Sequence, residues 1–214
     1  MAKQIFLIRH GETEANKRRI HQNSDEGLTP KGKLQAHHVC HFLEGKKIDT
    51  ILCSPYVRAR QTAEIISQQL GVPYMLSDSL VEIRRPDFVY GQGYYSLHTV
   101  LYLWRLFIYR EKPSWDYDGA ENMFMLRNRI ADLKKTIENA PGESIAIVSH
   151  DVFINLFLEH ACREKRITFR QFVHTILMTK KTPNTGIAHI QFDENTTHKV
   201  CPWQFVEYIN PSRQ

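Results

Sequence analysis

Three short apolar runs, Gln4 to Ile8, Thr50 to Cys53 and Ser144 to Val148, each end abruptly in residues that carry charge or chemistry. The first runs into Arg9-His10-Gly11, the second into Ser54-Pro55 with Arg58 just beyond, the third into Ser149-His150. Apolar runs of this length read as strands buried on both faces. Helix signals stand between them. Thr29-Pro30 supplies an N-cap and a proline at the first helical position, so a helix is expected to about Leu43, stopping near Gly45. Ser54-Pro55 repeats the signal for a helix to Leu70, with Gly71 as its stop and Ala63, Ile66 and Leu70 on one face. Residues 119–139 read as another helix, and Asp151 caps one through about Ala161. Gly186 to Phe192 and Val200 to Ile209 read as later strands, and Asn184-Thr185-Gly186 as a turn. Strands alternating with helices imply an α/β fold: three layers, a mostly parallel sheet with helices on both faces. Ligands bind such sheets at the carboxyl ends of the strands, which is where His10 and His150 fall.

One stretch breaks the alternation. Residues 88 to 117 hold 10 of the chain's 23 aromatic side chains. It reads as an aromatic-rich insertion folding over the carboxyl edge, so residues 1–214 are expected to form one domain with a cap insertion at 86–118. Aromatics such as Tyr95 and Trp104 serve there as core, as a homodimer interface or as a wall of the substrate site.

The chain is 214 residues long, 42% hydrophobic and 24% charged, long enough to bury a core without staples. Its formal charge of +5 suits an anionic small molecule and calls for neither nucleic acid nor membrane. The run before Arg9 is too short for a signal peptide. The longest apolar stretch, Leu97 to Ile108, is too short to span a bilayer and contains His98 and Arg105. Cys40, Cys53, Cys162 and Cys201 form no CxxC and read as reduced thiols of a cytoplasmic protein. His37 and His41 stand i, i+4, but no third ligand is near, so they read as solvent-facing and no metal or cofactor is expected.

The residues around His10 have a clear chemical use. Imidazole is a good nucleophile toward phosphorus, and a phosphohistidine splits one hard displacement into two easier ones. Arg9 offers positive charge to phosphoryl oxygens. Gly11 lets the backbone approach an anion closely. Thr13 and Asn16 offer side-chain donors, and Gln22 is placed to face a leaving group. Arg58 and His150 add cationic or donor groups at two further strand ends. Read alone, His10 has an alternative use as a strand-end histidine satisfied by a neighbouring carboxylate. Together the groups make a phosphate pocket without a metal, because phosphoryl transfer is largely positioning and electrostatics. Glu82 can give a proton to a leaving alkoxide and then activate water, or pair with Arg84 or Arg85; either arginine could instead grip a second anionic group of the substrate.

These segments resemble the histidine phosphatase superfamily, the group that includes cofactor-dependent phosphoglycerate mutase and fructose-2,6-bisphosphatase. The matching pieces are Arg9 to Asn16 (RHGETEAN), Leu28 to Ala36 (LTPKGKLQA), Ser54 to Ala63 (SPYVRARQTA), Leu80-Val81-Glu82 and Ser149-His150, in the family's order. The resemblance implies His10 as the phosphorylated nucleophile, Arg9, Arg58 and His150 as phosphoryl-binding groups, and Glu82 as proton donor and acceptor. Two departures stand out: Asp151 follows the second histidine where the family usually has glycine, and Ile83-Arg84-Arg85-Pro86 lacks a glycine found there in mutases and many phosphatases. The expectation is a metal-independent phosphatase acting on a small phosphate monoester. The alternatives are mutase-type phosphotransfer and a non-catalytic phosphate-binding protein of the same fold.

Overall fold

The computed structural model describes residues 2–161, 168–177, 182–196 and 201–213. Among the described residues, six strands form one sheet: β1 (Lys3–Arg9), β2 (Thr50–Cys53), β3 (Tyr74–Leu76), β4 (Ser144–Ser149), β5 (Ile187–Phe192) and β6 (Trp203–Ile209), in the order β3-β2-β4-β1-β5-β6. The first four of that order run parallel; β5 and β6 are antiparallel to their neighbours. The described residues also form seven α-helices: α1 (Glu14–Arg18), α2 (Pro30–Glu44), α3 (Val57–Leu70), α4 (Leu97–Tyr109), α5 (Met123–Asn139), α6 (Asp151–Ala161) and α7 (Phe169–Leu177).

Side-chain alternation along the strands sorts the core into two clusters. Ile5, Leu7, Leu52, Ile145 and Ile147 pack with α4, α5, α6 and Phe172 of α7. Phe6, Ile8, Ile51, Cys53, Ala146 and Val148 point the other way and pack with α2 and α3. The sheet is therefore buried from both sides, as the unbroken apolar runs require.

Several boundaries shift for local reasons. Thr29 caps α2 as expected, its hydroxyl accepting from the Gly32 N–H. Ser54-Pro55 does not open α3; the helix starts at Val57 after Tyr56, which makes no side-chain cap. Helix α5 begins at Met123, where the Asn122 side chain caps it. The strand expected from Val200 begins at Trp203, and Val200 lies outside the described residues. Gly71 closes α3 in the left-handed conformation, φ 69°. No helix among the described residues is long and apolar enough to cross a membrane. Cys40 and Cys53 are free and buried. Cys201 is disulfide-bonded, which corrects the expectation of four reduced thiols; Cys162 lies outside the described residues.

The segment between β3 and β4 contains α4, which is apolar on two sides. Thr99, Tyr102 and Leu106 are buried, whereas Leu97, Val100, Leu101, Trp104, Phe107 and Ile108 are exposed. The start of this segment is tied to the loop after α1: His21 N–H donates to Gln92 O at 2.9 Å and Gly91 N–H to His21 O at 2.8 Å.

Candidate active site

Parallel register brings the chemistry together. Arg9 of β1 pairs with Ser149 of β4, and Cys53 of β2 with Val148. The ladder runs one residue further: His10 N–H donates to Ser149 O and Ser54 N–H to Val148 O, both at 3.0 Å. His10, Ser54 and His150 thus leave three adjacent strand ends side by side, with the two imidazole centroids 5.2 Å apart.

His10 is buried, and its Nδ1 lies 2.7 Å from the Gly11 carbonyl oxygen. A carbonyl only accepts, so Nδ1 carries the proton and the Nε2 lone pair is left for chemistry. Arg58 Nε–H donates to that Nε2 at 3.2 Å, which agrees with the same tautomer. Burial first, then the charges of Arg58 and Arg9, hold the imidazole well below its ordinary pKa of 6.5. It is a neutral base and nucleophile rather than a cation.

Arg58, on the first turn of α3, is buried; its Nη1–H donates to Asn23 O at 2.6 Å. Burial lowers its pKa to about 10, so it remains a cation at neutral pH. His150 shares a hydrogen bond of 2.8 Å between Nε2 and Ser54 Oγ. Its pKa also lies well below 6.5, chiefly from burial and then from Arg58 and His10. Arg9 donates through Nη1 to Thr182 O and sits 3.5 Å from Asp151 Oδ2. Two buried nitrogens in this group have no hydrogen-bond partner among the described residues: Arg9 Nε and His150 Nδ1. Buried polar atoms are ordinarily bonded, and both suit an oxyanion.

Glu82 is held by the N-terminus of α6. Its Oε1 accepts from the backbone N–H of Ile83 (2.9 Å) and Phe153 (3.1 Å), and its Oε2 from Val152 N–H (3.3 Å). The α6 cap is therefore Glu82 and not Asp151, which is the helix's first residue. Asp151 instead faces Arg9, while its Oδ1 accepts from Thr182 N–H and Asn155 Nδ2–H.

A cavity of about 450 Å³ opens over these groups, lined by six of the expected residues, Arg9, His10, Asn16, Gln22, Glu82 and Asp151. Arg58 and His150 are buried beside His10. Thr13 is fully buried and spends its side chain locally: it caps α1 and donates to Gln22 Oε1 at 2.9 Å. Arg84 does not line the cavity; it is exposed beside a second hollow, and Arg85 takes the place expected of it. Tyr95 lines the cavity and Trp104 does not, the residue being 62% exposed. Gly11 also has a different use. Its N–H donates to Thr62 Oγ1, and a Cβ on it would stand 2.4 Å from Gly32 O, so its smallness serves the contact with α2. His37 and His41 are exposed, and no metal-holding group of three or more His, Cys, Asp or Glu occurs among the described residues.

Sequence reasoning missed Arg19, His21, Tyr94, Thr99, Tyr102 and Leu103, which also line the cavity. Asn184 stands in its expected turn, yet also reaches the site: its Nδ2–H donates to Asn16 Oδ1 at 2.9 Å and to His10 O at 3.3 Å.

Comparison with known proteins identifies the family and the fold. A sequence model of the histidine phosphatase superfamily (branch 1) matches residues 5–201. The chain belongs to that superfamily. Among its relatives, the Salmonella choleraesuis protein named "Probable phosphoglycerate mutase GpmB" is 31% identical over 199 residues, covering 90% of this chain and 86% of the relative. The Photorhabdus laumondii protein of the same name is 32% identical over 151 residues, 70% of each chain. Solved structures share the fold. A mycobacterial glucosyl-3-phosphoglycerate phosphatase superposes with a TM-score of 0.71 at 18% identity, over 96% of this chain and 97% of the other. The alpha-ribazole phosphatase of Shigella flexneri gives 0.73 at 19%, over 97% and 96%. A phosphoserine phosphatase mutant of Entamoeba histolytica gives 0.71 at 22%, over 97% of each.

Proposed function

We propose that this superfamily member is a phosphatase that hydrolyses a small phosphate monoester through a phosphohistidine on His10, without a metal. The observation that carries the reading is the His10 imidazole: neutral, with Nδ1 tied to Gly11 O and Nε2 facing Arg58. In the first step the Nε2 lone pair attacks phosphorus, the bond from phosphorus to the ester oxygen breaks, and that oxygen takes a proton from Glu82. Arg9, Arg58 and His150 surround the phosphoryl oxygens, and Arg9 Nε and His150 Nδ1 gain acceptors. In the second step water attacks phosphorus, the N–P bond breaks, and the Glu82 carboxylate left by the first step takes the proton from water.

Mutase-type transfer uses the same first step, and the name borne by the relatives favours it as a second reading. A panel of phosphate monoesters, sugar phosphates, nucleotides, phosphoglycerates and an aryl phosphate among them, tests the choice. A phosphatase releases inorganic phosphate with turnover that survives chelators and is blocked by vanadate. Transfer of phosphate within phosphoglycerate, with little release, supports the mutase. No turnover of any ester supports a binding protein.

A further inference from the structure

The stretch that carries Glu82 belongs to no strand or α-helix, yet the carbonyl groups of Ser79, Leu80, Val81, Ile83 and Arg84 all accept hydrogen bonds. Ser149 Oγ–H donates to Leu80 O at 2.7 Å, joining it to the end of β4. Arg129 of α5 reaches from below: Nη1–H donates to Ser79 O at 3.1 Å and to Val81 O at 2.7 Å. Arg129 is itself aimed by Glu121, whose two oxygens accept from Nε at 2.7 Å and Nη2 at 2.6 Å. The Glu121 backbone N–H closes the far side by donating to Arg84 O at 3.0 Å. The Arg129 guanidinium also lies over the Phe153 ring, 4.3 Å from its centroid, and Phe153 N–H holds Glu82 Oε1. One side chain therefore touches the residue before Glu82 and the residue that binds its carboxylate.

Arg129 is not in the cavity; it borders the separate hollow beside Arg84 and Glu121. The side chains of the ion pair are only 10% and 6% exposed. A buried pair of this kind is weak support for stability by itself. Its planar fork does fix geometry, in a way that an ammonium cannot copy.

We propose that Arg129, aimed by Glu121, is a positioning residue that holds Glu82 within reach of the leaving oxygen. The proposal rests on the reading of Glu82 as the proton carrier. A general acid acts only at hydrogen-bond distance, and a shift of about 1 Å costs on the order of 10²-fold in rate.

The test compares kcat/KM, which reports phosphoryl transfer to His10 and not the later hydrolysis in which Glu82 also takes part, on a sugar phosphate and on 4-nitrophenyl phosphate, whose leaving group hardly needs a proton. Arg129→Gln should lower the first by about 10²-fold and the second by no more than about 3-fold, with Arg129→Lys between wild type and Gln on the sugar phosphate. In a Glu82→Gln background, Arg129→Gln should add less than about 3-fold, because coupled residues are not additive. If Arg129→Gln folds poorly, Arg129→Gln/Glu121→Gln removes both buried charges and carries the same expectations. Equal losses on both esters, or a loss that multiplies in the Glu82→Gln background, would overturn the positioning role. Equal losses on both esters in Glu82→Gln alone would overturn the reading of Glu82, and the proposal with it.

Discussion

Arg9 and Asp151 face each other at the His10 end of the cavity, Nη1 to Oδ2 3.5 Å apart and both nearly buried. A carboxylate in that place competes with an incoming phosphate for the arginine. Asp151→Asn removes the charge and can keep the Oδ1 bonds to Thr182 N–H and Asn155 Nδ2–H. The variant should bind vanadate about 3- to 10-fold more tightly, the worth of roughly 1 kcal/mol of relieved competition. Inhibition constants at fixed pH and ionic strength check this; weaker binding would assign Asp151 a role in orienting Arg9.

In the proposed mechanism Arg58 acts on every ester alike. Arg58→Met removes the donor to His10 Nε2 and a cation beside the phosphoryl group. A hydrogen bond to a charged group is worth about 1.5–3 kcal/mol, so kcat/KM should fall by roughly 10- to 10²-fold. The loss should be the same for sugar and aryl phosphates, in contrast to Glu82→Gln, which should spare the aryl ester.

His10 and His150 also set a pH dependence of stability. Both are held below the ordinary imidazole value of 6.5 in the folded protein. Below pH 6.5 the unfolded chain binds more protons than the folded one. Stability from these groups is thus full above that pH and is lost as pH falls toward their folded values. The slope is about 1.4 kcal/mol per pH unit per imidazole. Urea unfolding at several pH values between 7.5 and 5 should show a shallower decline in His150→Gln than in wild type. Parallel declines would contradict the depressed value.

The wall of the cavity should govern substrate preference. Tyr95 lines it and Trp104 faces outward. Tyr95→Ala should change the ratio of kcat/KM between a sugar phosphate and an aryl phosphate, and Trp104→Ala should leave it alone. A changed ratio in Trp104→Ala would place that ring over the bound substrate.

His10, His150, Arg9 and Arg58 were legible in the sequence because each sits at a strand's end or one turn into the next helix, where the period of the chain fixes its place. The two faces of the sheet followed from the same runs. Arg84 and Arg85 were not separable: their segment holds only short 3-10 turns, Asp78–Leu80 and Asp87–Val89, so no period tells which arginine faces the cavity. Helix α4 defeated a face assignment for the opposite reason, being apolar on its inner and outer sides. Strand β3 is three residues long and partly exposed, too brief for a pattern. The purpose of Gly11 needed the third dimension, because Gly32, which it touches, lies on another element.

The central claim is that His10 Nε2 takes the phosphoryl group. Rapid mixing with a ³²P-labelled monoester, followed by an alkaline quench, should trap label on the protein that survives base, is released by acid and maps to the peptide containing His10. His10→Ala should carry no label and lose turnover. Label and activity that persist in His10→Ala would contradict the account.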